Sequence, residues 1–440
     1  MHIKIDHVAK IEGHASFTAD IVDGNVQKAR FDVMEGARLL EGILCSRSIF
    51  EVSQISARIC GVCPVVHTLT SIKALEKALD IEISEQTLLL RKLMMMGQIL
   101  NSHALHLFFF SLSDFFGLDS DLTLIKKYPA RANDALALRE FGNNLIEVIG
   151  GRSIHPLTPT IGGFLKVPDR AKLGKLFDQC DNALESAKNL AKLFSELKYP
   201  DFIRSAPYAS LTHPNEYAFC EGLVKTPVEE KAGIDEFMNI LKEHQLQNSA
   251  VKASYYQGKP FMVGAASRLN NNSGQLNPEA KKALNKTKII LPSFNPFHNI
   301  LAQAVEMVHC VEEAQKLLRQ ILQKELKNED RSERDKLIQT KLQAIKGAVK
   351  GYGAIEAPRG TLYYFYEIDR NGKVVNCNII TPTSQNLARL EKDLEEYLPK
   401  LAGQAPRNKK DAKTPIQKAV EDKIKMLIRA YDPCLTCATH

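Results

Sequence analysis

Apolar and polar positions alternate through residues 3–33, as in HASFTADIVDGNVQKARFDV, the period of half-buried strands. Asp23-Gly24 predicts a hairpin turn between two of them. From about residue 36 the apolar spacing becomes helical. Pro64 suits the first position of a helix running to about Leu79. Ser84 is a fitting N-cap, and Glu85 complements the dipole of the helix that follows. That helix runs through LLLRKLMMMGQILNSHALHLFFF toward Gly117 and is apolar on several faces, as a buried central helix must be. GRSIHPLTPTIGG at 151–163 reads as a loop. Helical patterns return at 170–197, 230–245 and 297–350. Strands are predicted at 361–368 and 373–380 around an Asn371-Gly372 turn. Ser384 and Thr414-Pro415 begin two last helices, the second running toward Arg429. The expectation is an α+β fold, predominantly helical, with a central bundle of long helices and small β elements near both ends.

No internal repeat or low-complexity tract interrupts the 440 residues, and 44% hydrophobic content is ample for a large core. No apolar run approaches the ~20 residues of a membrane span. MHIKIDHVAK is charged and lacks a signal-peptide core. The net charge of +7 is spread along segments such as KELKNEDRSERDK, a solvated helix face and not a nucleic-acid stripe. The basic tract Arg407-Asn408-Lys409-Lys410 reads as a flexible loop.

Nine cysteines change the picture, because four of them form two CxxC pairs at opposite ends of the chain. Cys60 and Cys63 lie in RICGVCPVVH, Cys434 and Cys437 in DPCLTCATH. Cys45, Cys180, Cys220, Cys310 and Cys377 are scattered and read as inert packing. Four thiolates in two pairs can enclose one soft or borderline metal centre. If they do, residues 1–440 form one interwoven unit whose ends meet around the metal. A structural zinc site is the default for two CxxC pairs, but its pairs usually lie ~15–20 residues apart. Pro64 also places Cys63 at a helix N-terminus, where the dipole favours a thiolate, with Arg58 adding positive charge. A zinc-stapled, non-catalytic scaffold and a reactive centre both remain open on these residues alone.

The two motifs resemble the signatures of the [NiFe]-hydrogenase large subunit, CxxCxxxH near the start and DPCxxCxxH at the end. The resemblance extends over essentially the whole chain: IEGH at 11–14, Glu41, HxxH at 103–106, HPLTPTIGG at 155–163, EAPRG at 356–360 and ITPTSQN at 380–386. It implies reversible heterolytic cleavage of H2, with Cys60 and Cys434 as terminal nickel ligands. Cys63 and Cys437 would bridge to an iron carrying two cyanides and one carbon monoxide. Glu12 would exchange protons with Cys434. Arg359 would overhang the open site; with a free pKa above ~12 it suits an electrostatic organiser better than a base. Pro358, Thr381 and Thr383 would hold the diatomic ligands, His67 would hydrogen-bond Cys63, and Asp432 would partner Arg359. Glu41, His440 and the Ile379 carbonyl would bind a magnesium or ferrous ion.

Family precursors are cut after the histidine matching His440, so the resemblance implies the mature form. Ser102 stands where many members have an aspartate, removing a carboxylate partner of Arg359. Phe110 falls at a gas-route position that carries leucine in several members, while Val62 keeps the usual valine. The resemblance is nearest to the cytoplasmic bidirectional group. It also implies that electrons pass to an iron–sulfur small subunit, seated on a large apolar face near Cys60 and the 155–163 loop. A face of over ~2,000 Å² is expected of an obligate partner. Any flavin or NAD(P) module, or heterodisulfide reductase module, would be on another chain. A respiratory NADH dehydrogenase subunit of the same ancestry is the other enzyme reading; that lineage has lost the nickel cysteines.

Overall fold

The structure is a computed structural model. It describes residues 2–22, 25–118, 120–228, 231–246, 249–403 and 415–440, without the side chains of 402, 403 and 415–417. The expected Asp23-Gly24 turn, the Arg407–Lys410 tract and the Thr414 cap lie outside the described residues.

Helices dominate, and the long ones pack on one another. Glu85–Ala104 lies against Pro129–Gly150 and His298–Gln323, and Arg170–Ser195 covers the outer side of the last two. The Glu85–Ala104 helix is buried on nearly every face because its neighbours surround it. Ser84 Oγ accepts from the Thr87 amide at 3.1 Å, as its capping role requires. The helix does not run evenly to Gly117: Leu105–Ser111 is a π-helical stretch, followed by a short α turn, Leu112–Phe116. A π turn carries extra backbone per turn, and such turns often sit at functional places. Here it begins between His103 and His106.

Small sheets sit at both ends of the sequence. His2–Ile5, Ala15–Val22 and Asn25–Val33 form an antiparallel meander in which Ile3, Ile5, Phe17, Ala19, Ile21, Phe31 and Val33 point inward. Ala348–Ala357, Gly360–Asp369 and Val374–Ile380 form a second. The helix Pro64–Leu79 begins and ends where its sequence signals place it, and it lies directly on the second sheet. That closeness needs Gly351: a Cβ there would stand 2.0 Å from the Ala74 carbonyl oxygen. At Gly351 the helix behind Cys63 is therefore seated directly against the strand backbone.

Three further sequence expectations change. Of 230–245, only Ile234–Ile240 is helical; Leu241–Gln245 is a strand paired with Lys252–Tyr256. The stretch 297–350 divides into His298–Gln323, Arg331–Gln343 and the strand Ala348–Ala357, whose second half is buried on both faces and so shows no alternation. Within 151–163, Pro159–Thr160 pairs with Gly163–Phe164. Among the described residues no helix is long and apolar enough to cross a membrane.

Candidate metal centre

Both CxxC pairs stand at helix beginnings. Cys60 is extended after the 3-10 turn Ala57–Ile59, and Cys63 precedes Pro64 at the start of its helix. The helix Pro415–Ala430 leads through Asp432 (φ 48°) to Cys434, and the short helix Leu435–Ala438 carries Cys437. The IEGH segment clamps this second motif: Glu12 pairs in parallel with Cys434, and the Leu435 amide donates to the Glu12 carbonyl at 3.0 Å. Gly13 permits the approach. Its φ is +87°, and a Cβ on it would lie 2.8 Å from that of Leu435.

The four sulfurs converge within 4.8 Å of one another, all buried. Cys60 Sγ is 3.4 Å from Cys434 Sγ, Cys63 Sγ 3.3 Å from Cys437 Sγ, and Cys434 Sγ 3.0 Å from Cys437 Sγ. Packed so closely, they cannot all be thiolates without a cation among them. Hydrogen bonds from Cys434 and then Cys437 draw Cys60 well down, while burial drives Cys434 and Cys437 well up. The donor set fits a soft, thiophilic metal.

Two charged groups reach this cluster. Glu12 Oε2 lies 3.1 Å from Cys434 Sγ and accepts from the Thr436 amide at 3.1 Å; its Oε1 accepts from Thr436 Oγ1 at 2.6 Å. Arg359 donates from Nε to the Asp432 carbonyl at 2.7 Å and from Nη2 to Asp432 Oδ1 at 2.9 Å. Its Nη1 is buried without a protein partner. Burial opposes its charge, but Asp432 first and then Cys434, Cys63 and Cys60 hold the guanidinium well above its ordinary pKa.

His67 differs from expectation. Its Nε2 stands 3.6 Å from Cys437 Sγ, not against Cys63, because the ring projects from one helical turn inside Pro64–Leu79 toward the opposite motif. Its Nδ1 meets the Tyr364 hydroxyl at 2.8 Å. Burial holds the ring neutral, with a pKa of about 3. Nδ1 then accepts from Tyr364, leaving Nε2–H to point at the sulfur.

The other expected residues are distributed as follows. Thr383 Oγ1 accepts from the Cys434 amide at 3.0 Å. Thr381 bonds within the first turn of its own helix, Pro382–Gly403, through the Ser384 and Gln385 amides. The Pro358 carbonyl accepts from Arg268 at 3.0 Å. Ser102 Oγ is buried and unpartnered, and the Phe110 ring packs edge-on to His106.

Glu41, Ile379 and His440 meet beside the cysteines. His440 Nε2 is 2.7 Å from the Ile379 carbonyl and 3.7 Å from Glu41 Oε1, and Glu41 Oε1 accepts from the Ile379 amide at 2.8 Å. His440 Nδ1 faces a second carbonyl, that of Cys437, at 2.6 Å. A neutral imidazole has one N–H and can serve only one of two carbonyls. A cation between Nε2, the Ile379 oxygen and Glu41 satisfies all three, so the donor set fits one. Burial alone would raise Glu41, but His440, the Ile379 amide and Lys252 bring it down to about 2.

Sequence reasoning missed Arg38, Thr436, Tyr364 and Lys252. Arg38 bridges the two motifs, donating from Nη2 to the Ile59 and Thr436 carbonyls. Thr436 lies inside the DPCLTC motif and was findable; the others have no local signal, since each acts across a long loop.

Comparison with known proteins agrees with this geometry. Residues 38–137 and 199–440 match the family of nickel-dependent hydrogenases, and residues 2–35 match a HoxL-like family. The alpha subunit of sulfhydrogenase 1 of Pyrococcus furiosus is 33% identical, over 100% of this chain and 97% of the relative. A vhu-type F420-non-reducing hydrogenase subunit of Methanocaldococcus jannaschii is 30% identical over 90% and 98%. Among solved structures, an NAD+-reducing [NiFe]-hydrogenase superposes with a TM-score of 0.87 at 24% identity, covering 100% and 99% of the two chains. A [NiFeSe]-hydrogenase of Desulfomicrobium baculatum gives 0.73 at 22%, covering both chains fully. The chain belongs to the nickel-dependent hydrogenases. It is their catalytic subunit, an oxidoreductase acting on H2, and its four converging cysteines form a cluster that could hold a metal ion.

Proposed function

We propose that Cys60, Cys63, Cys434 and Cys437 would together hold a nickel–iron centre, with Cys63 and Cys437 as the sulfurs that would be shared with an iron carrying two cyanides and one carbon monoxide. When bound, this centre supplies the open, soft site at which H2 is polarised. The protein moves the proton. Glu12 Oε2 stands 3.1 Å from Cys434 Sγ, within range to take a proton from that sulfur and pass it on at Thr436. Arg359, firmly charged, is an electrostatic organiser, with the unpartnered Nη1 free for the site and Asp432 fixing its plane. His67 donates to Cys437 and tempers its charge. Pro358, Thr381 and Thr383 line the space for the diatomic ligands. Glu41, His440 and the Ile379 carbonyl hold Mg2+ or Fe2+, tying the second motif to the first third of the chain. Residues 1–440 act on this reading as one interwoven unit.

Electrons leave through an iron–sulfur small subunit, and a flavin or NAD(P) module or a heterodisulfide reductase module takes them further, in a cytoplasmic complex. Exposed Leu39, Ile43, Phe50, Ile154 and Leu157 support the partner surface: the first three lie just before Cys60 in the chain, and the last two on the loop that bonds to that stretch. Gln54 and the Ala57 carbonyl bond the Pro156 carbonyl and His155 ring, which joins the loop to that face. The observation that carries the reading is the convergence of four buried sulfurs with a carboxylate on one of them. Plasma mass spectrometry and infrared spectroscopy of the purified complex test it. Nickel and iron at one each in the centre, with bands of metal-bound cyanide and carbon monoxide, are expected. Zinc as the sole metal would establish the scaffold reading instead.

A further inference from the structure

Behind Pro358 and Arg359 lies a cluster of ionisable side chains with no solvent access. Arg268, Glu306, Glu356 and His103 are each 0% exposed. Guanidinium offers five N–H donors in a rigid fork, and Arg268 uses all five. Nε and Nη2 donate to the two oxygens of Glu306, each at 2.7 Å. Nη1 donates to Glu356 Oε2 at 3.0 Å and to the Ala357 carbonyl at 2.8 Å, and Nη2 donates to the Pro358 carbonyl at 3.0 Å. Two of the five thus land on the backbone immediately before Arg359.

The far side of the clamp is equally fixed. Glu356 Oε1 accepts from the Leu211 amide at 2.7 Å and from Thr361 Oγ1 at 2.6 Å. Ala357 pairs with Gly360, so Pro358 and Arg359 form the two-residue turn of a hairpin whose shoulders, Glu356 and Thr361, are joined by that bond. Glu306 is held in turn by the Tyr217 hydroxyl at 2.7 Å and His103 Nε2 at 2.8 Å. One helical turn earlier, Gln303 Nε2 donates to Asp432 Oδ2 at 3.2 Å, and Asp432 binds the Arg359 guanidinium. One helix therefore controls both ends of Arg359: its side chain through Gln303 and Asp432, its backbone through Glu306 and Arg268. His103, the first histidine of the HxxH motif, serves this cluster.

Stability does not demand such an arrangement. Buried ion pairs repay their desolvation poorly, and apolar residues of similar volume often replace them without loss. What apolar residues cannot supply is a forked donor for two turn carbonyls. We propose that Arg268 is a positioning residue for hydrogen activation: by clamping the Ala357 and Pro358 carbonyls it sets the direction from which Arg359 faces the four cysteines. The inference rests on the nickel–iron reading above.

The test uses the purified hydrogenase complex carrying Arg268→Lys, or Arg268→Met with Glu306→Met. Lysine keeps the charge without the fork, and the double methionine variant removes the Arg268–Glu306 pair while keeping volume, leaving Glu356 to take up a proton in place of its Arg268 contact. Three quantities are read: nickel and iron content, thermal midpoint, and hydrogen–deuterium exchange together with the cyanide and carbon monoxide infrared bands. Metal content should match wild type, and the double variant should regain the midpoint. Exchange should nevertheless fall about a hundredfold in both, as for a reacting group displaced by ~1 Å, with the infrared bands displaced. Wild-type exchange and unshifted bands in a metal-loaded double variant would overturn the proposal, leaving the cluster a packing device. Should the Arg268 variants lose their metal, Glu356→Gln keeps the shape of the clamp and weakens one arm. Displaced bands there sustain the proposal; wild-type bands and exchange overturn it. Absence of nickel from the wild-type complex would instead refute the function proposed above.

Discussion

Replacing Glu12 with glutamine separates proton transfer from assembly. The carboxylate makes three contacts: Cys434 Sγ and the Thr436 amide on Oε2, and Thr436 Oγ1 on Oε1. Glutamine can place its carbonyl oxygen at Oε2 and keep the Thr436 amide. Its NH2 then falls at Oε1, where the threonine hydroxyl turns from donor to acceptor. The structural loss is only the charge-assisted part of these bonds, about 1 kcal/mol, so the complex should retain its metals and melt within a few degrees of wild type. The amide cannot take a proton at neutral pH. Losing a positioned relay costs typically ~10²–10⁴ in rate, or about 3–5 kcal/mol of barrier. The assay is H2/D2 exchange by membrane-inlet mass spectrometry on complexes matched for nickel content. Exchange within threefold of wild type at full nickel would remove Glu12 from the proton path and return the role to Arg359 or to water.

Further expectations concern the scaffold around the site. With no cation bound, His440, the Ile379 amide and Lys252 hold Glu41 down at about 2 against an ordinary 4.5, a depression worth about 3 kcal/mol before solvent screening. That stabilisation is complete above pH 4.5 and lost as pH falls toward 2, so Glu41→Gln should flatten the pH dependence of urea unfolding in this window; an unchanged slope would refute the assignment. Chelation of the ion expected between Glu41, Ile379 and His440 should lower nickel retention on gel filtration, and unaltered retention would count against that site. Gly351→Ala would drive a methyl into the Ala74 carbonyl, so a loss of about 2 kcal/mol or more is expected in denaturant melts; a neutral result would show that helix Pro64–Leu79 can shift. Leu157→Glu should abolish co-purification of the small subunit, and an intact complex would move the interface elsewhere.

How much the sequence revealed depended on how local each determinant was. The helix Pro64–Leu79 and the Ser84 cap were read correctly because proline and serine act within one turn of their own position. The strand Ala348–Ala357 was missed because its second half is covered on both faces and it carries two glycines, leaving no period-two pattern to find. Leu241–Gln245 was read as helix because five residues following a genuine helix carry too little pattern to overrule its continuation. The four cysteines were visible as spacing, and Glu12, Glu41 and Arg359 only through a resemblance; nothing in IEGH alone places a carboxylate on a sulfur 422 residues away.

Arg268 had no signal at all, since its five bonds reach helix His298–Gln323 and the turn after strand Ala348–Ala357. Charge reckoning shows why such residues cluster here. The four sulfurs, Glu12, Asp432, Glu306 and Glu356 gather acidic groups into one region, where Arg359 bonds Asp432 and Arg268 bonds Glu306 and Glu356. Buried charges of one sign are tolerable only when paired. The metal cations must supply the rest, which ties the stability of this core to metal loading. A chain whose catalytic machinery is also its charge balance has little freedom to exchange its arginines for lysines. A point charge at 268 would keep the sum and lose the geometry, which is the distinction the Arg268→Lys complex measures.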